Sequence, residues 1–78
     1  MKAVRREMAS DEEFSVWVFL PDGYHYALAR YVSAKAAVHM AKRATLVIAA
    51  RIVITDGGDH CVFEWQRDEE VTWPTNAN

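Results

Sequence analysis

Residues 14–20 (FSVWVFL) form an apolar run rich in β-branched and aromatic side chains, a pattern that predicts a β-strand. Pro21, Asp22 and Gly23 come next and predict a turn. Proline favours the start of a type I turn, and glycine favours the left-handed position of the accompanying bulge. The three-residue loop predicts a hairpin with three pairs on one face: Val18 with Tyr26, Val16 with Leu28 and Phe14 with Arg30. The pairs on the other face are Trp17 with Ala27 and Phe19 with His25.

A second hairpin is predicted around the sequence Asp56-Gly57-Gly58-Asp59. Two adjacent glycines accept the positive φ angles of a tight two-residue loop. The apolar pairs of this register are Ile54 with Cys61, Ile52 with Phe63 and Ala50 with Trp65. The pairs on its other face are Thr55 with His60, Val53 with Val62 and Arg51 with Glu64. We expect the apolar run 46–54 (LVIAARIVI) to be buried core.

The segment between the hairpins has the composition of a helix. Ser33 can cap a helix that starts at Ala34. Its predicted inner face consists of Ala34, Ala37, Val38, Ala41, Ala44, Thr45 and Ile48, and its basic outer face consists of Lys35, His39, Lys42 and Arg43. Residues 46–49 fit either the last helical turn or the start of the third strand.

The element order predicts an α+β two-layer sandwich, β-β-α-β-β, with a mainly antiparallel four-stranded sheet and one helix packed on one face. One globular domain is expected over residues 14–73, with a flexible arm at 1–13 and a disordered tail at 74–78. Residues 71–73 are compatible with a short additional strand. The order of the strands in the sheet is left open.

Composition narrows the function classes. The chain has 78 residues, a net charge of −2 and a single cysteine, so no internal disulfide or cysteine-rich zinc site is expected. A chain this short has a thin core and little room for a deep substrate cleft. No apolar stretch has the length of a signal peptide or a bilayer span, which predicts a cytoplasmic protein without a membrane partner.

Three short motifs resemble a family of small uncharacterised bacterial proteins. They are residues 54–59 (ITDGGD), 63–65 (FEW) and 71–74 (VTWP), and the segment 24–44 is similar in outline. The likeness covers most of residues 14–74. Phe is expected in the family where Trp73 stands, and the family's segment between helix and third strand is longer. The resemblance supports the fold and implies no activity.

Residues that carry chemistry are few. Asp56, Asp59, His60 and Cys61 form the densest group of potential metal ligands, but neighbouring strand residues point to opposite faces. Cys61 is expected to face the core, and Thr55 beside His60 lacks an orienting third group. We therefore predict no catalytic residue, no metal site and no cofactor, and an enzyme is the third hypothesis.

The first hypothesis is a non-enzymatic interaction or regulatory module that forms a homodimer or binds another protein. Its expected interface is an aromatic patch on the sheet face that points away from the helix: Trp17, Phe19, His25 and Tyr31. The alternative is that the arm or residues 71–73 fold over this patch. The second hypothesis is a nucleic-acid-associated factor that uses Lys35, His39, Lys42 and Arg43, together with Lys2, Arg5 and Arg6 on the arm.

Overall fold

The computed structural model describes residues 7–8 and 12–76 of the chain. Its elements in chain order are β1 (Glu7–Met8), β2 (Phe14–Phe19), β3 (His25–Val32), α1 (Ala34–Ala44), β4 (Arg51–Thr55), β5 (Cys61–Gln66) and β6 (Thr75–Asn76). Strands β2 to β5 form one antiparallel sheet in the order β3-β2-β4-β5, and α1 packs on one face of it. The predicted α+β fold is confirmed. Strands β1 and β6 form a separate parallel pair.

The core lies between α1 and the two central strands. Phe14, Val16 and Val18 of β2 are buried there beside Ile52 and Ile54 of β4. Small residues on the inner face of the helix, from Ala34 to Ala44, allow close approach to the sheet. The helix begins as predicted, because the Ser33 hydroxyl accepts a hydrogen bond from the Ala36 backbone N–H at 3.1 Å.

The first hairpin follows the prediction near its turn. The Leu20 N–H donates to the Tyr24 carbonyl at 2.8 Å, and Gly23 takes a positive φ of 94°. The pairs Val18–Tyr26, Trp17–Ala27 and Phe19–His25 are confirmed. Farther from the turn the prediction is wrong, since Val16 faces Ala29 and Phe14 faces Val32. Two irregularities each add a residue to β3, and Tyr31 sits at one of them with φ of 59°.

The second hairpin has a different register from the predicted one. Ile54 faces Phe63, Ile52 faces Trp65 and Thr55 faces Cys61. The Asp56 carboxylate accepts hydrogen bonds from the N–H groups of Gly58 and His60, and the positive φ falls on Asp59 and on neither glycine. This side-chain-stabilised turn is longer than a two-residue loop, so the pairing shifts. An irregularity beyond Ile54 leaves Val62 in the core and Cys61 exposed, contrary to prediction.

The segment after the helix also differs in part from prediction. The helix ends at Ala44 with Thr45 as its C-cap, and β4 begins only at Arg51. Residues 46–48 do not start the strand. The N–H groups of Leu46 and Val47 donate to the carbonyls of Arg43 and Ala44 at 3.1 and 3.2 Å, so a 3₁₀-type turn follows the helix, as one of the two predicted alternatives has it. Leu46, Val47 and Ile48 are exposed, and burial of the run 46–54 begins at Ala49.

Residues 71–74 pack against the core without forming a strand. The Trp73 and Phe63 rings lie 4.7 Å apart between centroids, and the Lys42 ammonium lies 5.8 Å from the Trp73 ring. Phe63 belongs to the core beneath the helix, so this segment covers the helix side of the sheet. Among the residues described, no helix is long and apolar enough to cross a membrane.

Candidate functional site

The face of the sheet opposite α1 carries a strip of aromatic rings. We call it the aromatic face and define it by Trp17, Phe19, His25, Arg30 and Arg51. The Phe19 and His25 rings are 5.0 Å apart between centroids and stacked at 25°, and the Trp17 ring lies 6.5 Å from His25. Strands β2 and β3 bring these rings together because Phe19 faces His25 directly. The strip borders a shallow depression of about 420 Å³.

Two arginines cover part of the aromatic face. The guanidinium carbon of Arg30 lies 5.0 Å from the Trp17 ring centroid, and that of Arg51 lies 4.7 Å from the Phe19 ring. Arg51 Nε is 2.6 Å from Glu64 Oε2, so the two charges pair, but the predicted register that placed Glu64 opposite Arg51 is wrong, because Gln66 faces Arg51. Arg30 donates to the Ser15 hydroxyl at 3.4 Å. Arginine stems over aromatic rings shield apolar surface from water.

Of the four residues assigned to an interface, Trp17, Phe19 and His25 lie together, and Tyr31 is connected to them through the Arg30 guanidinium. Trp17 and Phe19 are half-buried, whereas His25 and Tyr31 are exposed. Trp17 donates its indole N–H to Thr55 Oγ1 at 3.0 Å, so Thr55 pairs with Trp17 instead of acting beside His60. The Tyr31 ring lies 4.9 Å from the Arg30 guanidinium. Among the described residues, the segment 71–74 packs on the helix side of the sheet and does not cover the aromatic face.

Three consecutive aliphatic side chains are exposed elsewhere, on a surface that the sequence did not reveal, and two of them are the most exposed large apolar residues of the described chain. Leu46, Val47 and Ile48 are 85%, 56% and 72% exposed. Val47 adjoins Tyr26 and Leu28 of the edge strand β3 and Met40 of the helix, around a depression of about 450 Å³. We call this the loop–edge surface and define it by these six residues: Tyr26, Leu28, Met40, Leu46, Val47 and Ile48.

The loop of this surface is held by one arginine. Arg67 Nε donates to the Ala49 carbonyl at 2.8 Å, and its terminal nitrogen donates to the carbonyls of Thr45 at 3.1 Å and Val47 at 2.7 Å. The Arg67 guanidinium also lies 5.1 Å from the Trp65 ring. The planar fork of arginine suits several acceptors at once. Arg67 therefore fixes the backbone from which Leu46, Val47 and Ile48 project.

The basic helix residues form no ion pair within the described part of the chain. Lys35, His39 and Arg43 are exposed, and Lys42 is engaged by Trp73. Arg43 also borders the depression of the loop–edge surface. Lys2, Arg5 and Arg6 lie outside the described residues.

The turn that carries the potential metal ligands is a structural turn. Hydrogen bonds from the backbone N–H groups of His60 and Gly58 lower the pKa of the Asp56 carboxyl, and the His60 ring lies 3.4 Å from it. Burial of the sulfur and the nearby Glu64 carboxylate raise the pKa of the Cys61 thiol. Over the described residues, no three histidine, cysteine or acidic side chains group as metal ligands would.

The comparisons with known proteins add no relative. No family model matches the chain, and neither does any curated protein or solved structure. The resemblance to the signature family stays a prediction. The function must therefore be argued from the two surfaces themselves.

Proposed function

We propose that this domain is a non-enzymatic protein-interaction module that self-associates, and that the loop–edge surface is where two copies meet. The observation that carries the proposal is the exposure of three consecutive apolar side chains, Leu46, Val47 and Ile48, on a loop fixed by Arg67. Large exposed apolar patches with polar rims mark interaction sites, and an ordered loop loses little entropy on binding.

A second copy fits this surface by shape. Leu46 and Ile48 are exposed on either side of Val47 in the chain, and Val47 lines a depression together with Tyr26, Leu28 and Met40. In a two-fold dimer the same patch serves both partners, so each projecting pair would enter the depression of the other copy. The depression holds about 450 Å³, which accommodates such side chains.

The area of the surface is consistent with a modest dimer. Its six apolar residues expose on the order of 600 Å², the upper end for one patch on a monomer. Stable interfaces bury about 800 Å² per partner. The edge strand β3 borders the patch, so a second copy would cover its unpaired edge as well.

The aromatic face is the other candidate for self-association, because sequence analysis assigns the interface to Trp17, Phe19, His25 and Tyr31. Its central rings are half-buried under Arg30 and Arg51, which leaves less apolar surface for a partner than the loop offers. We therefore rank it second for this role. The basic helix face is the alternative for nucleic acid, supported by the fact that its basic residues form no ion pair with any carboxylate in residues 12–74.

Sedimentation velocity separates the two protein interfaces. We expect the wild type to dimerise at micromolar concentration and the double variant Leu46→Ser, Ile48→Ser to be a folded monomer. Burial of each side chain contributes about 1.5 kcal/mol or more, and a two-fold dimer buries four of them, so the loss of about 6 kcal/mol should raise the Kd about 10,000-fold or more.

Tyr31→Ser is the matched control, because Tyr31 is 63% exposed and belongs to the aromatic side of the molecule. It should dimerise like the wild type. If the wild type stays monomeric at about 100 μM, which is on the order of the highest Kd considered for the dimer, self-association is contradicted. Dissociation by Tyr31→Ser, with no effect of the loop variant, would place the interface on the aromatic face instead.

A further inference from the structure

From the aromatic face we infer a second binding activity: it takes unpaired bases of single-stranded nucleic acid. The rings of Trp17, Phe19 and His25 lie on two neighbouring strands of an open sheet, and the His25 ring is 6.5 Å from the Trp17 ring and 5.0 Å from the Phe19 ring. Aromatic side chains on open sheets stack on bases that have been splayed out of a helix. This surface differs from the loop–edge surface, so the inference goes beyond the proposed self-association.

The spacing of the rings favours single strands over duplexes. Trp17 and Phe19 are two residues apart on β2, a separation of about 6.8 Å along a strand. Bases within a duplex are stacked at about 3.4 Å. Rings spaced at twice that rise suit bases that each contact a separate ring, which requires a strand free to spread its bases.

Two cations stand beside the rings. Arg30 lies over Trp17 and has no carboxylate within ion-pair distance in the described structure, so it is available for a phosphate. Arg51 lies over Phe19 while it contacts Glu64. A guanidinium plane is itself a stacking surface for a base. The outer faces of the two guanidinium groups, together with the exposed His25 ring, therefore offer stacking and charge at the same point.

Acidic groups on the same side limit the charge contribution. Asp59 borders the depression, and Glu64 neutralises Arg51. About one or two phosphate contacts are expected, which predicts a shallow logarithmic salt slope of about −0.7 to −1.4 for a single strand. Stacking, which tolerates any base, therefore supplies most of the affinity and little sequence preference.

The test is fluorescence anisotropy with a labelled 12-nucleotide oligothymidine and with a duplex of the same length. We expect the single strand to bind the wild type and the duplex to bind at least about ten-fold more weakly. Phe19→Leu retains apolar volume but removes the ring, and it should raise the Kd about ten-fold, the effect of one lost stacked base. Arg30→Gln should weaken binding and reduce the salt slope by about 0.7.

Lys35→Gln is the control for the opposite face of the molecule, because Lys35 is exposed on α1. It should leave the Kd unchanged. Absence of binding at millimolar protein, on the order of non-specific affinities, overturns the inference. It is also overturned if Lys35→Gln weakens binding while Phe19→Leu does not, or if the duplex binds as well as the single strand. Loss of the dimer in Phe19→Leu would identify the face as a protein interface and equally overturn it.

Circular dichroism of each variant checks the fold. If Phe19→Leu is unfolded, Arg30→Gln decides the question, because Arg30 is exposed and its side chain donates only to Ser15 among the described residues. Unchanged affinity and salt slope in a folded Arg30→Gln then contradict the inference. The loop variant Leu46→Ser, Ile48→Ser should bind the oligonucleotide with the same Kd per subunit as the wild type. Failure of self-association and failure of this inference are therefore distinguishable.

Discussion

Replacing Arg67 with methionine should loosen the loop on which the proposed interface depends. Arg67→Met retains an unbranched apolar side chain beside Trp65 but removes the donors to the carbonyls of Thr45, Val47 and Ala49. A hydrogen bond contributes about 0.5–1.5 kcal/mol net, and two of these three are exposed to water. We expect a total loss of about 2 kcal/mol in the free energy of unfolding.

Thermal unfolding at one fixed protein concentration measures this loss. A change of 1 kcal/mol shifts the Tm of a domain this size by about 4–8 °C, so Arg67→Met should melt about 8–16 °C below the wild type. Arg51→Met is the control, since an exposed arginine paired with a single carboxylate contributes about 0–1 kcal/mol. If Arg67→Met melts within about 2 °C of Arg51→Met, the loop is not held in the way described.

Three further predictions concern local structure. Ser33→Ala should lower the free energy of unfolding by about 1 kcal/mol in urea titration, because the N-cap is lost, and an unchanged midpoint would contradict the cap. Asp56→Ala should lower the free energy of unfolding, whereas Asp56→Asn retains the acceptor. Because the folded-state pKa of Asp56 is lowered, its ionised form stabilises the protein above the usual aspartate pKa, and this contribution disappears as the pH falls through the lowered value. Iodoacetamide should alkylate Cys61 more slowly in the native protein than in the urea-unfolded protein, because the pKa of the native thiol is raised. The measurement is made at pH 7.5, which is on the order of one unit below the pKa of a free thiol. A faster rate in the native protein would show that the thiol pKa is not raised.

The elements of this fold could be predicted because local chemistry decides them. Gly23 fixes the first turn, Ser33 caps the helix, and the alanines of α1 mark its inner face. The pairing of the strands was predicted only close to the first turn. Farther along, Tyr31 adopts a positive φ and β3 gains residues, a feature decided by packing across the sheet instead of by the local sequence.

The second hairpin shows how one side chain can change a register. The glycine pair suggested a two-residue loop, but the Asp56 carboxylate bonds to two N–H groups and Asp59 takes the left-handed conformation. The changed pairing turned Cys61 outward. Aspartate side chains compete with glycine for control of a turn, and sequence pattern alone does not rank them.

The candidate sites were predicted in part. The register counted from the first turn correctly placed Trp17 and Phe19 on the face away from the helix, but it gave no sign that Arg30 and Arg51 cover them. The loop–edge surface was missed because apolar runs are usually buried. The sequence signal for this surface was that residues 46–48 follow directly after the helix C-cap. There Arg67, which is distant in sequence, donates to the carbonyls of Thr45 and Val47, which a strand would have paired with a neighbouring strand.

The central claim is that the loop of one copy enters the depression of another. An isotope-filtered nuclear Overhauser experiment on a mixture of labelled and unlabelled protein detects contacts between copies only. The account predicts intermolecular cross-peaks from the methyl groups of Leu46 and Ile48 to the Met40 methyl group and the Tyr26 ring. Intermolecular cross-peaks confined to Trp17, Phe19 or Tyr31, or none at concentrations where the protein sediments as a dimer, would contradict it.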